Sequence, residues 1–369
     1  MRGIPADTIP CSPVLRHVCR VRDDVTMRVR SAWLIEGIRM DGPVRMAPLS
    51  LSQVSLDRGY VGREARKIFN SELADAGFVT AVERPIWGAQ IAPYRRLVSV
   101  ISDELDVDSV SEVGALNSLA AKCANVLAVI WGGAPEVIAG ATEVWEQRQG
   151  WRTLSVSVGG GAWQASIVRK LLPDGAVLED DDPAELWAAS GRDPRVPLWL
   201  SLFRGLSGDR AWDRRVFRAC SLLETIASEV APRRSAVVDR NGDELLDREG
   251  RVATTKQSQG KIHWTVQRSL VALDLPDVLV AAHPSRTLWE EVGVWYDVRN
   301  AVAHEGYWAP PPRPTRRERR RSEVADAFAV AAGGDGLDSG SLRYSDKSCA
   351  AVEVVLRAAL RGELIRDSV

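Results

Sequence analysis

Residues 285–306 read SRTLWEEVGVWYDVRNAVAHEG, and this stretch decides how the second half of the chain is built. Leu288, Val292, Trp295, Val298 and Val302 recur at three- and four-residue steps, the spacing that lines one face of an α-helix. Ser285 stands where an N-cap belongs, and Gly306 followed by Pro310 is a stop signal. Glycine takes the left-handed conformation that ends a helix, and proline cannot extend one. A helix with one apolar stripe has to bury it against other elements, so the flanking sequence must supply partners.

It supplies helices. Residues 197–206, PLWLSLFRGL, read as helical, and residues 210–230 place Trp212, Val216, Ala219, Leu222, Leu223 and Ile226 on one face. Residues 255–273 read as another helix and residues 345–361 as a last one. Before that last helix, residues 309–341 hold prolines, an arginine run and AAGGDGLDSGS, read as a basic, disordered insertion. The expectation is an all-α bundle of four to five helices over residues 196–366.

The first half has a different character. Residues 1–25 carry Pro5, Pro10 and Pro13 without a period, which suits a loose arm. Residues 25–38, 77–88 and 94–102 read as strands from their alternation and β-branched content. Residues 112–131 read as a helix. Residues 135–148 read as a second helix, with Pro135 suited to its first turn. Residues 153–168 read as two short strands around a Gly-rich turn. Residues 173–195 are acidic, hold Pro173, Pro183 and Pro194, and suit a linker in which 184–190 form a helical turn or two. The chain is therefore expected to be multidomain, with a mixed α+β sensor or regulatory domain over 1–172, the linker, and the bundle.

Composition narrows the class. The chain has 369 residues, 45% hydrophobic and 26% charged, with formal net charge -1, so contact with a polyanion needs a local patch rather than a global field. Five cysteines, Cys11, Cys19, Cys123, Cys220 and Cys349, are odd in number and scattered, which suits reduced thiols in the cytoplasm. The start of the chain has no apolar secretory core, and no apolar run is long enough to span a bilayer. Thirteen tryptophans are read first as core and interface fillers, with a base-stacking platform as the sharper reading.

The chemistry concentrates at the end of the helix first quoted. Arg299, Asn300 and His304 follow the pattern R-N-x-x-x-H. Asn300 and His304 are i and i+4 on the helix. His304 lies near the C-terminus, where the negative end of the helix dipole favours a positive charge. Imidazole can move protons near neutrality, and a guanidinium can stabilise a phosphate whose charge grows during reaction.

RNAVAHEG at the end of a bundle helix resembles the Arg-x4-6-His motif of HEPN domains, closest to the Apea-like and abortive-infection branches. The resemblance covers about residues 197–361 and none of the first half. CSLLETIASEV is similar to the family's first long helix, which puts an acidic residue toward the site, and Glu224 is the matching position. The resemblance implies a metal-independent endoribonuclease acting as a homodimer with two facing motifs, in phage defence or a toxin-like stress response, and no cofactor. Its catalytic set is Arg299, His304, Asn300 and Glu224, and its partner is RNA. A trigger ligand at the first domain is expected to gate it. One branch carries His-x-Tyr, whereas here Tyr307 is one position further on, so that branch is not assigned. Some HEPN proteins are scaffolds, which leaves an RNA- or nucleotide-binding protein without chemistry as the alternative.

Other signals are weaker. Arg313, Arg316, Arg317, Arg319, Arg320 and Arg321 form a run suited to phosphate backbone or to solvent alone. Residues 239–250 begin like a calcium loop with Asp239, Asn241 and Asp243, but Glu244 stands where glycine is needed and Gly250 where glutamate is. Cys11, His17 and Cys19 lack a fourth zinc ligand. His263, beside Trp264 on a bundle helix, reads as a packed histidine. No metal site is expected.

Overall fold

The computed structural model describes residues 27–54, 97–158, 182–308 and 337–364, with short breaks inside these spans. Its first region is an antiparallel sheet. The strands are β1 (Met27–Glu36), β2 (Val44–Met46), β3 (Leu49–Val54), β4 (Leu97–Ser102), β5 (Leu105–Val107), β6 (Glu136–Glu146) and β7 (Gly150–Val158). Their order is β2-β3-β4-β1-β6-β7, with β5 also pairing β1. β1 is central because it can be covered on both faces: Val29, Trp33 and Ile35 are buried, and so are Ala32 and Leu34 between them. Such a near-continuous apolar strand belongs in the middle of a sheet, not at its edge. The buried Glu143 of β6 is matched: it takes a 2.6 Å hydrogen bond from the Arg30 Nε of β1, its cross-strand neighbour.

Within residues 135–148, expected as a helix, Glu136–Glu146 are instead strand β6, paired on one side with β1 and on the other with β7. The local signal was ambiguous. Alanines and Pro135 suit a helix, while Val137, Thr142 and Val144 are β-branched and suit a pleated surface. Two long-range ladders decide the matter, and neither is visible within the segment itself. β1 and β4 fall within the strands expected at residues 25–38 and 94–102, and β7 begins three residues before the segment expected at 153–168 and overlaps it over 153–158. The strand expected at 77–88, the second strand of 153–168 and the arm of residues 1–25 lie outside the described residues, Met27 onward apart.

Helix α1 (Val110–Trp131) links the sheet to the bundle. Cys123, Ala124, Val126, Leu127, Ala128 and Val129 are all buried. A helix that is apolar all round needs cover on every side. It lies against β1, β5 and β6 on one side and against α2 (Pro183–Ala189), α3 (Val196–Ser207) and α7 (Leu337–Leu360) on the other. Within residues 173–195, α2 is ordered from its Asp182 cap, and Leu186 and Trp187 are buried. The Trp187 indole donates to the Ala47 carbonyl in the β2–β3 turn (2.8 Å), and Lys122 of α1 sits 4.5 Å from the centre of the Trp187 ring. The apolar core runs without interruption from the sheet through α1 into the helices.

The bundle proper is α4 (Trp212–Val230), α5 (Ser258–Ala272), α6 (Leu288–Glu305) and α7, with a short antiparallel ribbon, β8 (Ser235–Ala236) and β9 (Thr254–Thr255), between α4 and α5. α4 packs on both α6 and α7. The stripe read from the sequence holds: Leu288, Val292, Trp295, Val298 and Val302 are buried, as are Val216, Ala219, Leu222, Leu223 and Ile226 of α4. α7 begins at Leu337, eight residues before the expected start, so the last five residues of the expected insertion, 337–341, are helical. The rest of that insertion lies outside the described residues.

α7 is enclosed on every side from Ser348 to Leu360, charges included. Arg357 donates to Glu353 one turn back, at 2.9 and 3.1 Å. It also donates to the carbonyls of Val129 (2.7 Å) and Ile130 (3.0 Å) in the last turn of α1. Those carbonyls have no partner within their own helix. A guanidinium with a fixed fan of donors satisfies them, and its charge is matched by Glu353 and by the negative end of α1.

Candidate functional site

The site is assembled on α6 because both ends of that helix are fixed. At its start Thr287 and Glu290 form a reciprocal capping box: the Glu290 amide donates to the Thr287 hydroxyl (3.3 Å) and the Thr287 amide to the Glu290 carboxylate (3.1 Å). The cap is thus Thr287, two residues after the expected Ser285, which lies outside the described residues. The T-x-x-E spacing was the signal that locates it. At the far end Gly306 adopts φ +81° and its amide donates to the Val302 carbonyl at 2.9 Å. A side chain at that φ is strained, so the glycine fixes where the helix stops and leaves His304 in its last turn.

α4 and α6 run antiparallel, since Glu224 meets Arg299 while Asp213, three turns earlier on α4, accepts from the Trp308 amide (3.4 Å). In this pairing the Arg299 Nη2 donates to Glu224 at 2.7 Å. The two side chains are 27% and 25% exposed, so the pair is only partly desolvated. A charge-assisted contact of this kind is worth on the order of 1–2 kcal/mol after solvent screening. The Arg299 Nη1 donates to the Asn300 Oδ1 at 3.0 Å, and its Cζ lies 5.7 Å from the centre of the Tyr296 ring. Its Nε is buried without a hydrogen-bond partner among the described residues. Arginine has no acceptor, so the Asn300 amide must turn its oxygen to Arg299 and its NH2 away.

The structure therefore brings together three of the four expected catalytic residues, Glu224, Arg299 and Asn300. His304 is exposed and forms no hydrogen bond or ion pair with the described residues. His304 is five positions along the helix from Arg299, so the two leave the axis about 140° apart, whereas Asn300 and His304 are about 40° apart. Arg313, Arg316, Arg317, Arg319, Arg320 and Arg321 lie outside the described residues, as do Cys11, His17, Cys19, Asp239 and Asn241. Among the described residues no three His, Cys, Asp or Glu side chains converge as a metal site requires.

Under the site lies Cys220, wholly buried, its thiol pushed up to about 12 by burial and then by the Glu224 charge, with Arg299 opposing. It is a packing residue and no nucleophile. Cys123 and Cys349 are likewise buried, with thiols raised to about 12 and about 11 chiefly by burial. His263 is buried edge-on against Trp289, with ring centres 5.3 Å apart, and burial lowers it to about 4. It is the packed histidine its sequence context suggested. The Tyr296 ring beside Arg299 was not anticipated, although the i, i+3 spacing of the two residues could have raised it.

No described helix is long and apolar enough to cross a membrane. The chain matches no protein-family model, no curated protein and no solved structure.

Proposed function

We propose that this chain is a metal-independent endoribonuclease of the HEPN type, acting on RNA in the cytoplasm as a homodimer. The observation that carries the reading is the Glu224–Arg299–Asn300 set beside an exposed His304 in the last turn of one helix. Glu224 and Asn300 hold the guanidinium at two of its nitrogens, which orders a long side chain before substrate arrives. Asn300 turns an amide donor outward. Among the described residues His304 forms no hydrogen bond or ion pair.

The reaction follows from these groups. A base takes the proton of the RNA 2′-hydroxyl, and the 2′-oxygen attacks the adjacent phosphorus. The bond to the 5′-oxygen breaks, and an acid supplies that oxygen with a proton. His304 does one or both proton steps. Arg299 stabilises the charge on the non-bridging oxygens. The products are a 2′,3′-cyclic phosphate and a 5′-hydroxyl, and DNA, lacking the internal nucleophile, is spared. The angular separation of Arg299 from His304 on one helix is the reason for invoking a second copy, whose histidine can complete the set. The setting is phage defence or a toxin-like stress response, with the first region gating the nuclease.

One observation favours a second reading. No described side chain orients His304, as a general base normally requires, so within a single chain the set is better fitted to hold a phosphate than to cleave it. That is the non-catalytic RNA- or nucleotide-binding protein. The two are separated by incubating the full chain with mixed RNA in EDTA beside His304→Ala and reading the fragment ends. Fragments ending in 2′,3′-cyclic phosphate from the unaltered chain alone support the nuclease. RNA that stays intact at every protein concentration while remaining bound supports the binding protein.

A further inference from the structure

We infer that a second copy of this chain docks on the outer face of α3, at Leu198 and Leu202, about a two-fold axis that passes the middle of that helix. This deepens the ribonuclease reading, which invokes a second copy to complete its site, and rests on it.

α3 is apolar on nearly every side. Its twelve residues, VPLWLSLFRGLS, carry one charge, Arg204. Val196, Trp199, Leu200, Phe203 and Leu206 are buried, whereas Leu198 and Leu202, one turn apart, are 59% and 46% exposed. Among the described residues no other helix exposes two large apolar side chains one turn apart. Single exposed apolar residues need no explanation, but a shared apolar face marks a surface that is covered by something.

The face is its own complement. Leu198, Ser201, Leu202 and Gly205 share it, all exposed and none charged. At Gly205 a Cβ would meet nothing within 4 Å, so the helix has a notch there, two turns along from the Leu198 side chain. A two-fold axis between Ser201 and Leu202 lays two α3 helices antiparallel. It sets Leu198 of each copy over Gly205 of the other. Self-pairing about an axis needs a patch of this kind, and a charge beside the axis would meet its own like. Arg204, the one charge of α3, leaves the helix about 160° from Leu202.

The same surface leads to the candidate site. α3 and α4 form an antiparallel hairpin, and Arg195, just before α3, donates to Glu229 near the end of α4 at 3.1 Å. The middle of α3 thus lies level with the middle of α4, where Ser221 is one turn from Glu224. Leu202 leaves α3 within about 20° of Arg195, on the side of α4. On α4, Glu229 turns to α3 and Glu224 turns to Arg299 of α6. Ser221, Thr225 and Ser228 leave α4 between those two directions, and Thr225 and Ser228 are exposed. Arg218 on this strip is already bonded to Asp209 at 3.3 Å. α3, α4 and α6 therefore form one outer layer of antiparallel helices. A two-fold perpendicular to them keeps like on like, so the copy that covers the leucines of α3 also brings its α6 to the site.

The test is sedimentation equilibrium of the full chain over a concentration series. It compares the unaltered protein with Leu202→Asp, Leu198→Asp and Val271→Asp, with thermal unfolding as the control for folding. Val271 of α5 is 77% exposed and lies outside the face. The unaltered chain and Val271→Asp should be dimers of equal strength, and each leucine variant should raise the dissociation constant by at least about thirtyfold. Ser201→Cys, beside the axis, should form a disulfide between copies under copper–phenanthroline that the unaltered chain does not form. A monomeric unaltered chain, or a dimer that withstands both leucine variants, overturns the face, and a dimer without that disulfide overturns the axis. Cleavage of mixed RNA to 2′,3′-cyclic ends by such a chain leaves the nuclease standing without this dimer. A dimer broken by the leucine variants, with RNA left intact and unbound, keeps the face and removes the ribonuclease reading.

Discussion

Two arginine–glutamate pairs in this chain have the same chemistry and opposite fates. Arg357 and Glu353 are 1% and 3% exposed at the seam between α7 and α1, while Arg299 and Glu224 are 27% and 25% exposed on the outer side of α6 and α4. The buried arginine spends its donors on Glu353 and on two helix-end carbonyls of another element. The outer one makes two side-chain bonds, to Glu224 and Asn300, and keeps an open side toward water. Burial separates them. A fully desolvated guanidinium is too costly to leave unmatched, so its neighbours use it up. A partly exposed one can be held by the protein and still receive an anion. The first pair is enclosed by the fold, and the second keeps an exposed side.

Breaking the inner pair should therefore have the largest effect on stability. Arg357→Ala takes the guanidinium away from the buried Glu353 carboxylate and orphans the Val129 and Ile130 carbonyls, at a cost of about 3–5 kcal/mol. Urea unfolding of the full chain measures it, and a loss below about 1 kcal/mol would show that the seam does not depend on this arginine. The same geometry speaks to division of the chain. Cutting before α3 removes α1 from the faces of α3 and α7 that it covers, so residues 196–369 alone should unfold without a cooperative transition. A sharp calorimetric transition from that fragment would mean that the helices stand without α1.

The next effect is a pH dependence seated in the bundle. His263 is buried, and burial holds it at about 4 against an ordinary 6.5. Above the ordinary value both folded and unfolded chains carry it neutral, and it contributes nothing to the pH profile. Between the two values the unfolded chain takes up a proton that the folded chain refuses. Stability therefore falls as pH drops from about 6.5 to about 4, by ~3 kcal/mol in all. His263→Phe keeps a ring against Trp289 and should flatten that part of the profile. An unchanged slope in the phenylalanine variant would assign the acid loss to other groups.

The two pairs also mark how far the sequence could be read. Arg299 and Asn300 were legible from the R-N-x-x-x-H spacing on an amphipathic helix, and Glu224 only through the resemblance of its helix to the first long helix of HEPN domains. Glu353 and Arg357 were not, although they are one turn apart, because their meaning depends on α1 arriving from more than two hundred residues away. The same cause explains β6. Val137, Thr142 and Val144 carried a strand signal, but alanines and Pro135 carried a helical one, and only the ladders to β1 and β7 choose between them. Helix ends were legible to the extent that their caps are local. Gly306 was found at its place, while the start of α6 moved to Thr287 once the Glu290 partner was considered. His304 was legible as a residue and not as a geometry, because no described side chain contacts it.

The smallest effect on stability should come from the outer pair, and it sharpens the comparison most. Glu224→Gln keeps a hydrogen-bond acceptor for the Arg299 Nη2 and removes the charge, so the fold should lose on the order of 1 kcal/mol or less. Function should respond differently, because the guanidinium is then less firmly placed and its charge less balanced. On the proposed ribonuclease reading, if Glu224 only positions Arg299, the glutamine variant should show a lower kcat on RNA, with Arg299→Lys lower still, since lysine offers a point charge where two directed bonds are needed. If Glu224 is instead a structural partner of α6, kcat should stay level and the melting temperature alone should move. A variant that loses as much stability as Arg357→Ala would erase the distinction between the pairs, for it would mean that the exposed arginine is as deeply committed to the fold as the buried one.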